Sequence, residues 1–301
     1  MSDLTLPQSS LVALHHPNDL GVNNMINMIS KISRLSGVFS LTLLFSLLAS
    51  QAISKQYRLT SDDWAIGSNP YSHQFSSEVK RLGKKSQRFE VRNGDCKSKN
   101  IENDWDCKRD RERSEIVTRP LFALTPGIWF GYSIYIPNDF NSSDVVTTTI
   151  GQIHRKGGPK MTDKYGMEEW PNLLAFTVKG NVLSLALSNL RIKGQEVVEE
   201  LSNHSVGSLS SLRGKWTDVA FHIQSRNGIG IFELFIDQKK ILQLPQHEAV
   251  YAKGYFFKYG IYRHYVSKAK RGLKTQVLFI DEVKAGDTLI DVSPNPQKPV
   301  D

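Results

Sequence analysis

A succession of short segments with the composition of β-strands constrains the fold of this chain most strongly. The segments are rich in Val, Ile, Phe, Tyr and Thr, and clusters of Gly, Pro, Asn and Asp separate them. The predicted strands are Gln87–Arg92, Arg113–Arg119, Ile128–Ile136, Val145–His154, Leu173–Lys179, Val182–Asn189, Thr217–Gln224, Gly230–Asp237, Tyr255–Tyr265 and Gln276–Lys284. Helical periodicity is confined to a short stretch, Gln195–Leu201. Ten or more strands over about 250 residues predict an all-β fold, a two-sheet antiparallel β-jelly roll.

The N-terminal region predicts export. Lys31 and Arg34 precede an apolar run, Val38–Ala49, and small residues follow it, which predicts a signal peptide cleaved after Ala52. The run is too short to span a bilayer comfortably, although an uncleaved anchor is the alternative. We therefore expect a secreted or periplasmic protein, free of the membrane after cleavage. Its expected regions are an N-terminal extension with the signal peptide at 1–52, a polar segment at 53–86 and the jelly-roll domain at 87–301.

The two cysteines of the chain, Cys96 and Cys107, lie in one polar loop. In an exported protein an isolated close pair is most simply a disulfide. Their spacing and the lack of neighbouring histidines do not suit zinc. The sequence therefore predicts a disulfide, no metal site and no required cofactor, while a structural calcium ion held by scattered oxygen atoms is left open.

The formal net charge of +8 is unchanged when residues 1–52 are removed. A basic exported protein attracts anionic partners, either nucleic acid or an acidic polysaccharide. The cationic residues are scattered and form no nucleic-acid motif. We therefore expect an anionic polysaccharide partner, no nucleic acid and a monomeric protein.

Alternation along the strand at 256–264 separates two sets of side chains. Polar groups share one face with a glycine, which leaves a flat gap where a ligand can lie against the backbone. That face carries Lys258, Gly260, Tyr262 and His264, and the other carries Phe257, Tyr259, Ile261 and Arg263. On an earlier strand, Gln152 and His154 also share a face.

Two further segments alternate arginine with glutamate. Arg88, Glu90 and Arg92 share a strand face, and so do Arg111, Arg113 and Glu115. Arginine and glutamate on a sheet face form cross-strand ion pairs, so we expect the glutamates mainly to orient the guanidinium groups.

These side chains suit one kind of carbohydrate chemistry better than another. Glycoside hydrolysis requires two facing carboxylates, and no strand has two acids at alternating spacing. β-Elimination from a uronic acid instead requires donors that neutralise the carboxylate, a base for the C5 proton and an acid for the leaving oxygen. Arginine, glutamine, histidine, lysine and tyrosine supply those groups.

The motifs Arg-x-Glu, Gly-Gln-Ile-His and Phe-Lys-x-Gly-Ile-Tyr resemble the signature segments of the jelly-roll alginate lyases. Longer segments are similar to a group of bacterial polysaccharide lyases related to glucuronan lyase and heparin lyase I. Those segments are 110–115, 129–137, 151–154 and 258–263. The resemblance extends in the expected order from about Arg88 to Asp287, and the cysteine loop belongs to the same pattern.

The resemblance implies roles for individual residues. Tyr262 matches the tyrosine that protonates the leaving oxygen and, in syn elimination, can also abstract the proton. His154 matches the base or carboxylate neutraliser, and Gln152 its companion. Arg113 is the preferred match for the carboxylate-binding arginine, and Arg88 is the competing assignment.

The resemblance also implies a set of substrate contacts. Lys258 matches a lysine that accompanies the tyrosine in heparin lyase I. The expected substrate-binding residues are Arg88, Arg92, Lys258, Tyr259, Arg263 and His264. Alginate lyases have Asn-Gln after the tyrosine, where this chain has Arg263-His264, so the substrate is not narrowed to alginate. A non-catalytic carbohydrate-binding module and, less favoured, a glycoside hydrolase are the alternatives to a lyase.

Overall fold

Two large antiparallel sheets contain most of the strands in the computed structural model. The structure describes residues 55–62, 65–97, 105–246 and 252–294, so the predicted signal peptide lies outside the described residues. The strands are β1 (Gln56–Tyr57), β2 (Thr60–Asp62), β3 (His73–Ser76), β4 (Ser86–Val91), β5 (Arg111–Arg119), β6 (Ile128–Tyr135), β7 (Thr147–Lys156), β8 (Met161–Thr162), β9 (Glu168–Glu169), β10 (Asn172–Lys179), β11 (Val182–Lys193), β12 (Glu196–Ser208), β13 (Trp216–Arg226), β14 (Ile229–Ile236), β15 (Lys239–Gln246), β16 (Gly254–His264) and β17 (Gln276–Gly286). The short helices are α1 (Trp105–Lys108) and α2 (Leu289–Val292), with 3-10 turns at Leu209–Ser211 and Val266–Lys268.

The two sheets exchange strands in the manner of a jelly roll. The front sheet has the order β12-β11-β10-β7-β16-β5-β2, and the back sheet has the order β15-β14-β13-β6-β17-β4-β3, with β1 also paired to β17. Consecutive strands β4 and β5, β5 and β6, and β16 and β17 lie in opposite sheets, so the chain crosses repeatedly between layers. The predicted all-β sandwich is confirmed.

The core lies between the sheets because alternate side chains of each strand point inward. Phe130, Tyr132 and Ile134 of β6 are buried from the back sheet. Phe257, Tyr259 and Ile261 of β16 meet them from the front sheet. Each residue of β16 from Gly254 to Arg263 is buried, which shows that the outer face of this central strand is covered as well.

Each of the ten predicted strands is present, and Gln195–Leu201, the stretch with helical periodicity, does not form a helix. Those residues fall in the β11–β12 hairpin, whose turn contains Gly194 at φ +66°. A ladder along the whole length of β11 outweighs the weak local preference for helix. β15 was not predicted either, because Pro245 argues against a strand. Proline is tolerated there because β15 is an edge strand.

Residues ahead of 87 belong to the sandwich rather than to a separate polar segment. β1 pairs with β17, β2 with β5 and β3 with β4, so both sheets recruit this part of the chain. The strands are only two to four residues long and largely polar, which left no readable alternation. The domain therefore begins before the predicted boundary.

Gly260 is required by strand packing, which corrects its interpretation as a gap for a ligand. Its φ is +133°, and a Cβ at this position would lie 2.2 Å from the carbonyl oxygen of Ser114 on β5. The β7–β16 ladder has a register shift between Tyr259 and Tyr262, as expected for a β-bulge. The glycine therefore admits the backbone of β5.

We expect Gly260→Ala to destabilise the protein by about 3 kcal/mol or more, because strain at positive φ adds to a backbone clash. Gly166→Ala is the control, since its φ is +75° but the space around it is open. That variant should lose only about 1 kcal/mol. Urea unfolding of both variants measures the difference, and equal losses would contradict the clash.

Candidate active site

A cleft of about 300 Å³ opens on the outer face of the front sheet. Its floor is formed by the central strands β5, β7 and β16, and the β8–β9 hairpin and β12 contribute its walls. The floor residues are Arg111, Arg113, Gln152, His154, Lys258, Tyr262 and His264. The structure therefore brings together six predicted site residues. Arg111, which the alternation placed on the same strand face as Arg113, joins them.

Strand register explains this convergence. Tyr262 lies opposite Arg113 on β5, and Lys258 lies opposite Gln152 on β7. Residues directly opposite each other in an antiparallel pair project to the same face. Three strands that are far apart in the chain thus place their polar side chains side by side.

Four expected substrate-binding residues lie elsewhere, which corrects their predicted position. Arg88 is on β4 of the back sheet, Arg92 directly follows that strand, and both pair with Glu90. Tyr259 is in the core, where its hydroxyl accepts a hydrogen bond from Gln87 at 3.1 Å. Arg263 points away from the cleft, as alternation requires.

Arg263 has a structural role in its actual position. It is fully buried and pairs with Glu112. It also donates hydrogen bonds to the carbonyl oxygens of Lys274, at 2.9 Å, and Arg92, at 2.6 Å. These contacts join β16 to neighbouring loops instead of to a ligand.

A buried carboxylate holds the basic floor residues in place. Glu115 lies 2.9 Å from the ammonium of Lys258 and accepts a hydrogen bond from Gln152 at 2.7 Å. Arg113 contributes a longer contact of 3.5 Å to the same carboxylate. Burial lowers the pKa of Lys258, and Glu115 opposes that shift. Glu115 therefore orients the cationic groups, as the Arg-x-Glu pattern predicts.

Arg113 lies between a carboxylate and the ring of Tyr262. Its guanidinium forms a two-point contact with Asp106 of α1, with Nη2 2.5 Å from Oδ1. The guanidinium carbon lies 4.0 Å from the centre of the Tyr262 ring. Burial opposes the charge, but Asp106, followed by Tyr262 and Glu115, raises the pKa of Arg113. The cation is therefore permanent and fixed over the phenol.

The disulfide between Cys96 and Cys107 is confirmed and supports this arrangement. It joins the loop after β4 to α1, with the Cα atoms 4.8 Å apart. Asp106, the partner of Arg113, is the residue before Cys107 and is almost fully buried. The cross-link thus holds α1 where its carboxylate meets the guanidinium.

Tyr262 is a neutral phenol with an unused hydroxyl. The Oη atom is buried and has no hydrogen-bond partner among the residues that the structure describes. Burial raises the pKa of Tyr262 above the ordinary tyrosine value, although Arg113 and Arg111 act in the opposite direction. A buried polar group without a partner costs about 1–3 kcal/mol, so its presence in a cleft calls for a functional explanation.

His154 is a neutral imidazole with a defined tautomer. Its Nδ1 lies 2.8 Å from the carbonyl oxygen of Arg155, which only accepts, so Nδ1 carries the proton. The half-buried ring stacks on Phe256, with 5.4 Å between ring centres. Burial, followed by the charge of Lys258, lowers the pKa of His154 to about 3. Nε2 is therefore available to accept a proton.

His264 provides a second neutral imidazole near the phenol. Its ring centre lies 4.1 Å from that of Tyr262, and its Nε2 is 3.0 Å from Oγ1 of Thr149. Burial, followed by Arg111 and Arg113, lowers the pKa of His264 to about 3. Because the contact with Thr149 fixes the His264 ring, that ring in turn holds the ring of Tyr262 in position.

The β8–β9 hairpin is tied to β5 by ion pairs that the sequence analysis did not identify. Arg109 contacts Asp163 at 2.6 Å and also pairs with Glu169. Arg111 lies 3.3 Å from Glu169. The alternating arginines at 109, 111 and 113 were a signal for a cationic cluster at the start of β5, but no local pattern identifies acids more than fifty residues away as their partners.

The ion pairs of Glu169 with Arg109 and Arg111, here called the tether, should make the stability of the protein sensitive to acid. Although burial opposes ionisation, Arg109 and Arg111 lower the pKa of Glu169 to about 2. A lowered carboxyl pKa stabilises the fold above about pH 4.5, and the contribution is lost as pH falls towards 2. We expect Glu169→Gln to lower the free energy of unfolding at pH 7 by on the order of 2 kcal/mol.

The same variant should flatten the dependence of stability on pH between about 4.5 and 2. Glu168→Gln is the matched control, because this neighbouring glutamate is exposed. Its ion pair with the exposed Lys160 is long, at 3.7 Å, and contributes little. Urea unfolding across that pH range measures both effects. Parallel curves for Glu169→Gln and the unsubstituted protein would contradict the tether.

The described part of the chain contains neither a metal-binding cluster nor a membrane-spanning helix. No group of three or more His, Cys, Asp or Glu side chains is arranged to hold a metal ion. No helix in these residues has the length and apolar character needed to cross a membrane. The absence of a cofactor requirement stays a prediction.

Comparison with known proteins places the chain in a class. The polysaccharide lyase family model matches residues 52–284, and the chain belongs to that family. Its fold is that of endo-β-1,4-glucuronan lyase from the fungus Trichoderma reesei, with a TM-score of 0.61, 14% identity and coverage of 81% of this chain and 100% of that one. The exolytic alginate lyase AlyA5 from Zobellia galactanivorans is also similar, with a TM-score of 0.44, 11% identity and coverage of 78% of this chain and 96% of that one. No curated protein matches.

The chain is thus a jelly-roll polysaccharide lyase. This confirms the resemblance drawn from the motifs, apart from its bacterial assignment.

Proposed function

We propose that this lyase is exported and cleaves a uronate-containing polysaccharide by β-elimination, leaving an unsaturated uronate at the new end. The observation that carries the proposal is the hydroxyl of Tyr262, which has no hydrogen-bond partner among the described residues and lies under Arg113 in the same cleft as the neutral imidazole of His154. Acid, base and cationic groups thus share one surface.

The proposed reaction begins with neutralisation of the substrate carboxylate. Donors on the cleft floor, from Arg113, Gln152 and Lys258, withdraw charge from it and make the C5 proton acidic. A base removes that proton, and its bonding electrons form the C4–C5 double bond. The C4–O4 bond breaks, and O4 takes a proton from the acid.

The states of the two titrating groups support separate roles. The phenol of Tyr262 is protonated at neutral pH, so it can give its proton to O4. The unprotonated Nε2 of His154 can accept the C5 proton in an anti elimination from guluronate or iduronate. In glucuronate or mannuronate the proton and O4 lie on one side. Tyr262 would then serve at both steps as the phenolate, which accepts the C5 proton and gives it to O4. Side chains above its buried hydroxyl must shift to admit O4.

The residues of the cleft fit glycoside hydrolysis less well than they fit β-elimination. Three carboxylates line the walls of the cleft. Asp163 and Glu169 are held in ion pairs with Arg109 and Arg111, and Glu199 accepts a hydrogen bond from Ser188. A pKa of about 2 keeps Glu169 ionised, whereas a hydrolase needs one carboxyl group protonated.

Export is part of the proposal. The apolar run Val38–Ala49 supports a signal peptide, and the Cys96–Cys107 disulfide supports an oxidising compartment. Secreted and periplasmic locations both satisfy these observations, and the monomeric state stays a prediction.

The test is a screen of purified protein against glucuronan, alginate and glycosaminoglycans. We expect at least one polyuronide to yield the ultraviolet absorbance of an unsaturated uronate. Oligosaccharides of one epimer each then decide between syn and anti elimination. A protein that forms no unsaturated product from any of them would contradict the proposal.

A further inference from the structure

A second recess, of about 200 Å³, lies beside the cleft on the side of His154. The residues that line it are all basic or aromatic: Arg119, His154, Lys156, Trp170, Phe256 and Lys258. His154 and Lys258 also line the cleft, so the two spaces adjoin at these residues. A chain lying in the cleft can extend into this recess.

Trp170 gives the recess a fixed flat surface. It directly follows β9, and its indole N–H donates a hydrogen bond to the carbonyl oxygen of Gly158 at 3.1 Å. The ring is only half-buried. An aromatic ring held by its polar edge offers an apolar face that can pack on the C–H face of a sugar.

Cations surround this aromatic surface. The ammonium of Lys156 lies 4.8 Å from the Trp170 ring centre, and that of Lys160 lies 5.7 Å away. Lys160 also pairs with Glu168 at 3.7 Å, which partly neutralises its charge, so Lys156 contributes more to the positive potential here. Both ammonium groups lie over the indole ring, so a uronate that packs on the indole displaces these flexible side chains and offers its carboxylate to their positive charge.

Arg119 adds a cation that can change partners. It lies 3.5 Å from Asp62, and the two side chains are 35% and 37% exposed. An ion pair this exposed contributes little stability, because water and salt screen it. A substrate carboxylate can replace Asp62 at small cost.

We propose that the Trp170 recess is a binding subsite for a uronate unit next to the one at which elimination occurs. The inference rests on the proposed function for its substrate class. Trp170 supplies the stacking surface, and Lys156 and Arg119 meet the carboxylate. Filling the recess lengthens the stretch of polymer that the enzyme holds.

The test measures kcat and KM of Trp170→Ala and Lys156→Gln on the polyuronide cleaved fastest in the screen. We expect KM to rise about ten-fold for Trp170→Ala, as for a central aromatic contact, with kcat little changed. Lys156→Gln should raise KM less, and its effect should shrink at high salt. Lys156 is exposed, so this variant keeps the test valid if Trp170→Ala does not fold.

The controls carry the same substitutions elsewhere. Phe75→Ala removes an aromatic ring, 66% exposed, from β3 of the back sheet, and Lys179→Gln removes an exposed lysine at the end of β10. Both should match the unsubstituted enzyme. Unchanged KM values for Trp170→Ala and Lys156→Gln would overturn the subsite, even though cleavage itself upheld the lyase.

Binding separates the two proposals if no polyuronide is cleaved. Affinity electrophoresis in gels containing glucuronan then compares the unsubstituted protein with Trp170→Ala. Retardation that Trp170→Ala reduces about ten-fold would support the recess as a binding site while the lyase proposal fails. Equal migration of the two proteins would overturn the subsite.

Discussion

Tyr262→Phe is expected to lower kcat by about 10²–10⁴-fold, the usual contribution of a positioned acid or base, and to leave binding almost unchanged. The substitution removes one hydroxyl and keeps the ring that packs under Arg113 and beside His264. Because the hydroxyl has no partner among the described residues, its loss breaks no hydrogen bond there and should not destabilise the fold. The change therefore tests chemistry rather than folding.

Tyr132→Phe is the matched control for this variant. Its hydroxyl is also buried without a hydrogen-bond partner in the described part of the chain, and burial raises its pKa as it does for Tyr262. Tyr132, however, lies in the core between the sheets. We expect full activity from Tyr132→Phe. Retained turnover by Tyr262→Phe would contradict the proposed acid, and retained binding by an inactive protein is the result that separates a lyase from a non-catalytic binding module.

Period-two alternation was sufficient to predict most of the sandwich, because each central strand has one face in a common core. It failed where neighbours outside the segment decide the structure. The β11–β12 ladder determines the conformation of Gln195–Leu201, and pairing with β17, β5 and β4 recruits the polar strands before residue 87. The composition of a segment does not indicate which distant strand it will pair with.

For the site, too, the faces of the strands were predictable from the sequence, whereas contacts with distant segments were not. Alternation correctly separated Lys258 and Tyr262 from Tyr259 and Arg263 on β16, since register follows directly from position in a strand. The partners of the floor residues were not predictable. Asp106 comes from a short helix held by the disulfide, and Glu169 from a distant hairpin. Gly260 was misread because its function depends on the backbone of β5.

Arg113→Lys is the second change with a large expected effect. Lysine keeps the positive charge but lacks the planar fork that contacts Asp106 at two points while its central carbon lies 4.0 Å from the centre of the Tyr262 ring. Substrate carboxylate and phenol would then face a mobile ammonium. We expect kcat to fall by about 10²–10³-fold, as when one fixed donor to a developing charge is removed, with a smaller change in KM.

Arg88→Lys provides the control, because Arg88 was the competing assignment and has the same sequence context. Each arginine precedes a glutamate by two residues and contacts it, Arg113 with Glu115 and Arg88 with Glu90. Arg88, however, lies on β4 of the back sheet, away from the cleft. Steady-state kinetics of both variants, with urea unfolding to confirm that each is folded, should show a loss for Arg113→Lys alone. A comparable loss in Arg88→Lys would move the carboxylate-binding role to the back sheet and contradict the site, because no rearrangement of side chains alone brings β4 to Tyr262.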